Sequence, residues 1–301
     1  MPRSFHSSFE RLPSTRGPWA PAGPEQLNPA RRVDVSALFR SFWIAGFESA
    51  SHINGAGLRI DMVSATQHDL QVEEDYARLA AWDIKTVRDG ARWHLIHQGG
   101  GRYDFTSLLP FVEAARGHRI QVIWALCHYG WPDDLDILSP NFINSFARYC
   151  GAVARFIADQ TEGIQFYTPI NEMNFLAWAA GEKAYIHPYR DDAGGEIKHQ
   201  LIRACIAGIE AIWAVDPTAR IVHTEPITHV LTPKGRPELA RAAARGNDGV
   251  GRAARPGNGA PPRSGSGQGR SATNGLQARS DRRCASLSLR QHLHCKFKLI
   301  R

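Results

Sequence analysis

The sequence predicts an α/β chain whose parallel sheet is of the (β/α)8 TIM-barrel type, truncated to about five βα units. Three observations carry this. Apolar runs alternate with helical stretches five times between residues 41 and 226, which implies parallel strands joined by right-handed crossovers. The polar residues gather where those strands end: Glu48 and His52, Arg88 and Asp89, His128, Asn171 and Glu172, His223 and Glu225. Function at the C-terminal strand ends is the habit of a barrel. A doubly wound open sheet usually carries a Gly-rich phosphate loop after an early strand, and this chain has none.

The elements follow in order. "FWIAGFE" (42–48) reads as a buried strand, and "EEDYARLAAWD" (73–83) as a helix with Tyr76, Leu79 and Ala80 on one face. "IKTVRDG" (84–90) is the second strand. "SLLPFVEAARGH" (107–118) is helical, with its start near Pro110. "IQVIWALCHYG" (120–130) is the third strand, and its continuous apolar run implies burial on both faces. Ser139 is placed to cap the next helix and Pro140 suits its first turn. Its stripe is Phe142, Ile143, Phe146, Cys150, Val153 and Ile157. "IQFYTPINE" (164–172) is the fourth strand. Leu201, Ile202, Cys205, Ile206, Ile209, Ile212 and Trp213 give the strongest helical stripe in the chain. Asp216-Pro217 stops that helix, and "RIVHTEP" (220–226) is the fifth strand.

These patterns divide the chain into a mobile leader (1–38), a partial barrel (39–235) and a disordered basic tail (236–301). The leader is rich in Pro, Ser and Arg and lacks hydrophobic periodicity. The tail holds 12 Arg and 2 Lys against 3 acidic residues, a net +11. With +7 for the whole chain, residues 1–235 carry −4, so a basic nucleic-acid surface on the fold is not implied. The tail's composition cannot bury enough apolar surface to offset chain entropy. A tail read out of frame would look like this. Translating the other reading frames downstream of the Arg236 codon tests the idea.

Five cysteines without a CxxC pair read as free thiols in a reducing, cytoplasmic setting. The first 26 residues lack the apolar core of a secretory signal, and no stretch is long enough to span a membrane.

The chemistry centres on "TPINEMN" (168–174). A carboxylate at the end of a buried strand is desolvated, which favours the protonated form that a general acid needs. Asn171 beside it can donate to a sugar hydroxyl. "TPINEMN" resembles the Thr-x-Asn-Glu-Pro segment of family 1 glycoside hydrolases, the β-glucosidase type. "LCHYGWPDDL" (126–135), "RDGARWHLI" (88–96) and "FWIAGFESASHINGAG" (42–57) resemble that family's third-, second- and first-strand segments. The four segments occur in the family's order and cover roughly residues 41–226. The chain departs from the pattern at His52 (Gln in the family), Asn54 (Glu) and Met173 (Pro), which marks a divergent branch.

The resemblance implies retaining hydrolysis of β-glycosides. Glu172 would be the acid/base, and Asn171 would hold the hydroxyl next to the anomeric carbon. His128 would bind another ring hydroxyl, and Arg88 would lie under the second carboxylate. Tyr129 takes the place of a family Trp and would stack on the sugar, and His52 would contact it. The family's nucleophile is a Glu on a seventh strand, which this chain lacks. Glu225 is a weak substitute, more simply read as a sugar contact or a partner of His223, and Glu48 is weaker still.

Two other readings compete. His52, His128, His223 and Glu225 would serve a metal-dependent hydrolase, but the paired His that typically opens such a site is missing, since His52 stands alone. The other is a non-catalytic remnant that holds sugar weakly. Five strands cannot close a barrel, so the expectation is an inactive, marginally stable chain. No cofactor or metal, no specific nucleic-acid partner and no membrane partner are implied. The tail's "CASLSLRQHLHC" lacks the spacing of a zinc site.

Overall fold

The computed structural model describes residues 38–227, 230–241, 243–244 and 294–300. One sheet organises the fold. It runs β1 (Ile44–Gly46), β2 (Thr86–Gly90), β3 (Gln121–Cys127), β4 (Phe166–Ile170) and β5 (Arg220–Ile227), all parallel and in sequence order. Helices α1 (Met62–Ala65), α2 (His68–Ala81), α3 (Trp93–Ile96), α4 (Leu109–Gly117), α5 (Pro140–Gln160), α6 (Met173–Gly181) and α7 (Gly194–Val215) fill the connections. This is the α/β strand–helix repeat of a partial barrel.

Two expected elements behave as read. β3 is buried along its length except at Gln121, as its unbroken apolar run requires. α5 buries Phe142, Phe146, Cys150, Val153 and Ile157, five of the six expected stripe residues. Ser139 sits at the N-cap with extended backbone, but its side chain makes no capping hydrogen bond. α7 packs on α5. The close approach depends on Gly208, where a Cβ would stand 2.8 Å from the Phe146 ring and 2.9 Å from Cys150 Sγ.

Three differences have physical causes. The stretch 42–48 is not a buried strand: β1 is three residues long, and Phe42 and Trp43 are 90% and 71% exposed. Among the described residues β1 has one neighbour, so its outer edge and these rings are uncovered. Ile206 of the α7 stripe is exposed, and Ala204 and Gly208 take the core face instead. In the tail, His294–Ile300 forms β6, antiparallel to β5 with Ile221 opposite Ile300 and Ile227 opposite His294. "HCKFKLI" is the tail's one segment combining an aromatic with large aliphatics, the residues that suit a strand. The leader up to residue 37 and residues 245–293, which hold Cys284, lie outside the described residues.

A buried polar cluster ties α2 to the sheet. Asp89 on β2 is fully buried, and its Oδ2 accepts from His68 Nε2 and Tyr76 OH, both at 2.8 Å. The other ring nitrogen of His68 meets Asp75 Oδ2 at 2.7 Å, and Phe47 stacks on the imidazole at 3.6 Å. Burial opposes a charge on His68. The hydrogen bonds and charges of Asp89 and Asp75 outweigh it and hold the pKa above its usual value.

Candidate active site

The C-terminal ends of the five strands open onto a cavity of about 460 Å³. Its lining includes Glu48, His52, Arg88, His128, Tyr129, Asn171, Glu172 and Glu225. The seven residues expected to serve the sugar site, His52, Arg88, His128, Tyr129, Asn171, Glu172 and Glu225, therefore meet in one place, with Glu48 beside them. The sheet register explains why. Gly46, Arg88, Ile123, Phe166 and Arg220 form one layer across the sheet, and parallel strands in register point the same way at the same height. His128 and Asn171 follow directly on the ends of β3 and β4, and Thr224 lies within β5, all on the C-terminal side of that layer.

The centre is a chain of hydrogen bonds. Asn171 Oδ1 accepts from Arg88 Nη2 at 2.7 Å and from Thr224 Oγ1 at 2.8 Å. Asn171 Nδ2 donates to Tyr129 OH at 3.0 Å, and Tyr129 OH donates to Glu172 Oε2. Burial first, and then the bond to Glu172, push the Tyr129 phenol far above its ordinary range. Tyr129 and Glu172 both have left-handed backbones, with φ of 65° and 45°. Such positions are costly for residues with a Cβ and concentrate at functional sites. Gly130, next in the chain, is pressed against the loop after β1: a Cβ there would lie 2.4 Å from the Ser51 carbonyl oxygen. The Ser51 amide also bonds the His128 carbonyl at 2.9 Å. These two contacts pin the His128–Tyr129 turn.

His128 is buried with its Nδ1 3.1 Å from Ser49 Oγ and 3.4 Å from Glu48 Oε1. Burial, reinforced by the positive charges of Arg88 and His52, pulls its pKa down to about 3. It is a neutral ring at physiological pH, suited to hydrogen bonding. His52 is also held below its usual value, chiefly by burial, and its Nδ1 has no hydrogen-bond partner among the described residues. Arg88 Nε is likewise buried without a partner among them.

Glu225 lines the cavity, yet its oxygens face the start of α6. They accept from the Asn174 amide at 3.2 and 3.4 Å and from Asn174 Nδ2 at 3.0 Å, with His223 Nε2 at 3.7 Å. Burial raises its pKa, and the nearby Glu172 adds to the rise against the Asn174 bonds. Glu225 thus caps the helix that begins immediately after Glu172. Replacing Glu225 with Ala is expected to lower stability by about 1–2 kcal/mol through loss of this cap. Thermal unfolding checks it, and an unchanged midpoint would remove the capping role.

Sequence reasoning missed Thr224 and Phe175. Thr224 sits between His223 and Glu225 at a strand end, the signal that picked out its neighbours. Phe175 lines the cavity, and Trp178, three residues on along α6 and more than a third exposed like it, packs beside its ring at 5.8 Å between centroids. Among the described residues no three His, Cys, Asp or Glu side chains converge as metal ligands. No helix among them is long and apolar enough to cross a membrane. Cys127, Cys150 and Cys205 are buried free thiols.

No family model and no curated protein matches this sequence. Solved structures do. The AHE enzyme from Alicyclobacillus herbarius superposes with a TM-score of 0.55 at 18% identity, over 62% of this chain and 43% of that one. The family 1 β-glucosidase from Thermotoga maritima gives 0.47 at 17%, over 51% and 37%. The first likeness is one of fold. The chain spans about two fifths of the length of these structures.

Proposed function

We propose that the cavity is a sugar site of the glycosidase type, taking β-glycosides, with Glu172 as its proton donor and acceptor. The observation that carries this is the convergence of Glu172, Asn171, His128 and Arg88 on one cavity with aromatic rings at its rim. A volume near 460 Å³ suits a monosaccharide or disaccharide. Polar side chains fix hydroxyl positions, and Phe175 offers an apolar face to a pyranose ring.

The same geometry argues that this polypeptide binds sugar without hydrolysing it. Retention needs a second carboxylate about 5–5.5 Å from the first, free to attack the anomeric carbon. Glu225 is committed to the α6 N-terminus. Glu48 Oε1 accepts from the Ala50 amide at 2.8 Å, beside His128. Neither is presented as a nucleophile. Arg88 retains a buried N–H that a sugar oxygen or a further carboxylate would satisfy.

Titration calorimetry with a basic glucose-configured iminosugar tests the reading. Binding is expected, weakened about tenfold in Glu172→Gln by loss of a charge-assisted hydrogen bond. Aryl β-glucosides should be hydrolysed no faster than in buffer. Saturable hydrolysis abolished by Glu172→Gln would sink the inactive reading, and no iminosugar binding would sink the sugar site itself.

A further inference from the structure

We propose that Tyr129 is a positioning residue that clamps Glu172 through its Oε2 oxygen, as the last link of a one-way hydrogen-bond relay from Arg88 through Asn171. The inference rests on the reading of Glu172 as the site's acid/base and specifies how that residue is controlled. The direction of the relay follows from donor bookkeeping. Arg88 can only donate, and it donates to Asn171 Oδ1. Thr224 Oγ1 bonds the same oxygen. With two donors on Oδ1, the side-chain amide of Asn171 cannot be flipped without opposing its NH2 group to a guanidinium. Its Nδ2 therefore faces Tyr129 and donates to the hydroxyl oxygen. That leaves the Tyr129 proton for one acceptor, Glu172 Oε2.

Two consequences follow. The Tyr129 hydroxyl directs its one proton to Glu172 Oε2, so that oxygen is an acceptor in the resting site, with Arg88 and Glu225 the other charged side chains near it. Glu172 Oε2 can meet a leaving oxygen only after it exchanges the Tyr129 hydroxyl for the ligand, so while the clamp holds, proton delivery falls to Oε1. Tyr129 is thus tied through its hydroxyl, which differs from the ring-stacking role that the family resemblance implied. The left-handed backbone at both residues brings the turns after β3 and β4 together. The ring of Tyr129 is held between His128 and Phe175, at centroid distances of 4.6 and 5.2 Å.

The test uses the full chain carrying carboxyl-13C glutamate, with the Glu172 resonance assigned by its loss in Glu172→Gln. In Tyr129→Phe the proton affinity of Glu172 should rise about tenfold, the worth of one hydrogen bond to a charged group. Thr224→Val, which leaves the Tyr129 hydroxyl in place, should move it less than twofold. A titration that is the same in Tyr129→Phe and the parent would overturn the clamp. A second measurement needs no substitution: with ring-13C tyrosine, the Cζ resonance of Tyr129 should shift in step with the Glu172 titration. Independent titration overturns the proposal even if Tyr129→Phe does not fold. Both readouts work without sugar, so failure of the iminosugar to bind would refute the sugar site and leave the clamp standing.

Discussion

Replacing Asp89 with Ala is expected to lower the unfolding free energy by about 3–5 kcal/mol, the cost of removing one partner from a buried charged pair. Asp89 is fully buried and 2.8 Å from both His68 Nε2 and Tyr76 OH. Its loss leaves the buried Tyr76 hydroxyl and His68 Nε2 without this acceptor. Asp75 remains on the other ring nitrogen, so His68 keeps one acceptor. Domains of this size have only about 5–15 kcal/mol in total, so the variant should unfold at much lower urea. Asp89→Asn keeps an acceptor and should cost less. Urea denaturation measures both, and a loss under about 1 kcal/mol for Asp89→Ala would show that the cluster does not support the fold. The cluster also bears on the site, because Asp89 follows Arg88 on the same short strand.

The second large effect is on pH dependence. The pKa of His128 is about 3 in the folded chain, against an ordinary value near 6.5. Between those values the unfolded chain binds a proton that the folded chain excludes. Stability therefore rises with pH through that window, is complete above about 6.5, and is lost as pH falls toward 3. The contribution is on the order of 5 kcal/mol by linkage. His68 acts with the opposite sign. Its pKa is raised in the folded state, so its contribution is complete below the ordinary value and is lost as pH rises through the raised one. The difference between the parent and His128→Asn isolates the first term. The parent should lose several kcal/mol more than the variant between pH 6.5 and 4, measured by urea denaturation at each pH. Parallel curves would refute the buried neutral ring.

Much of the site was legible because strand ends are local signals. "RDG", "CHYG", "TPINE" and "HTEP" each close an apolar run with polar residues. A parallel sheet in register brings such ends together whatever the intervening helices do. The stop at Asp216 and the start at Pro140 were legible for the same reason, since proline chemistry acts within a turn. What escaped is set by distance along the chain. Nothing near Phe42 tells that its strand has one described neighbour, so its exposure was missed. Glu225 lines the cavity beside His223, but its bonds to Asn174 at the start of α6 were not legible. His68 and Asp89 are 21 residues apart, and several other acids would have matched the imidazole equally well.

The sequence by itself determined the order of strand–helix units and the residues at the mouth of the sheet, because hydrophobic period and turn chemistry act over a few residues. Only the tertiary structure decided which of those residues hold one another. Arg88 and Asn171 lie 83 residues apart and meet at 2.7 Å. That pairing, and with it the direction of the proton from Tyr129 to Glu172, depends on sheet register and on the pinned turn at Gly130. These are long-range packing constraints that no local window of the chain contains.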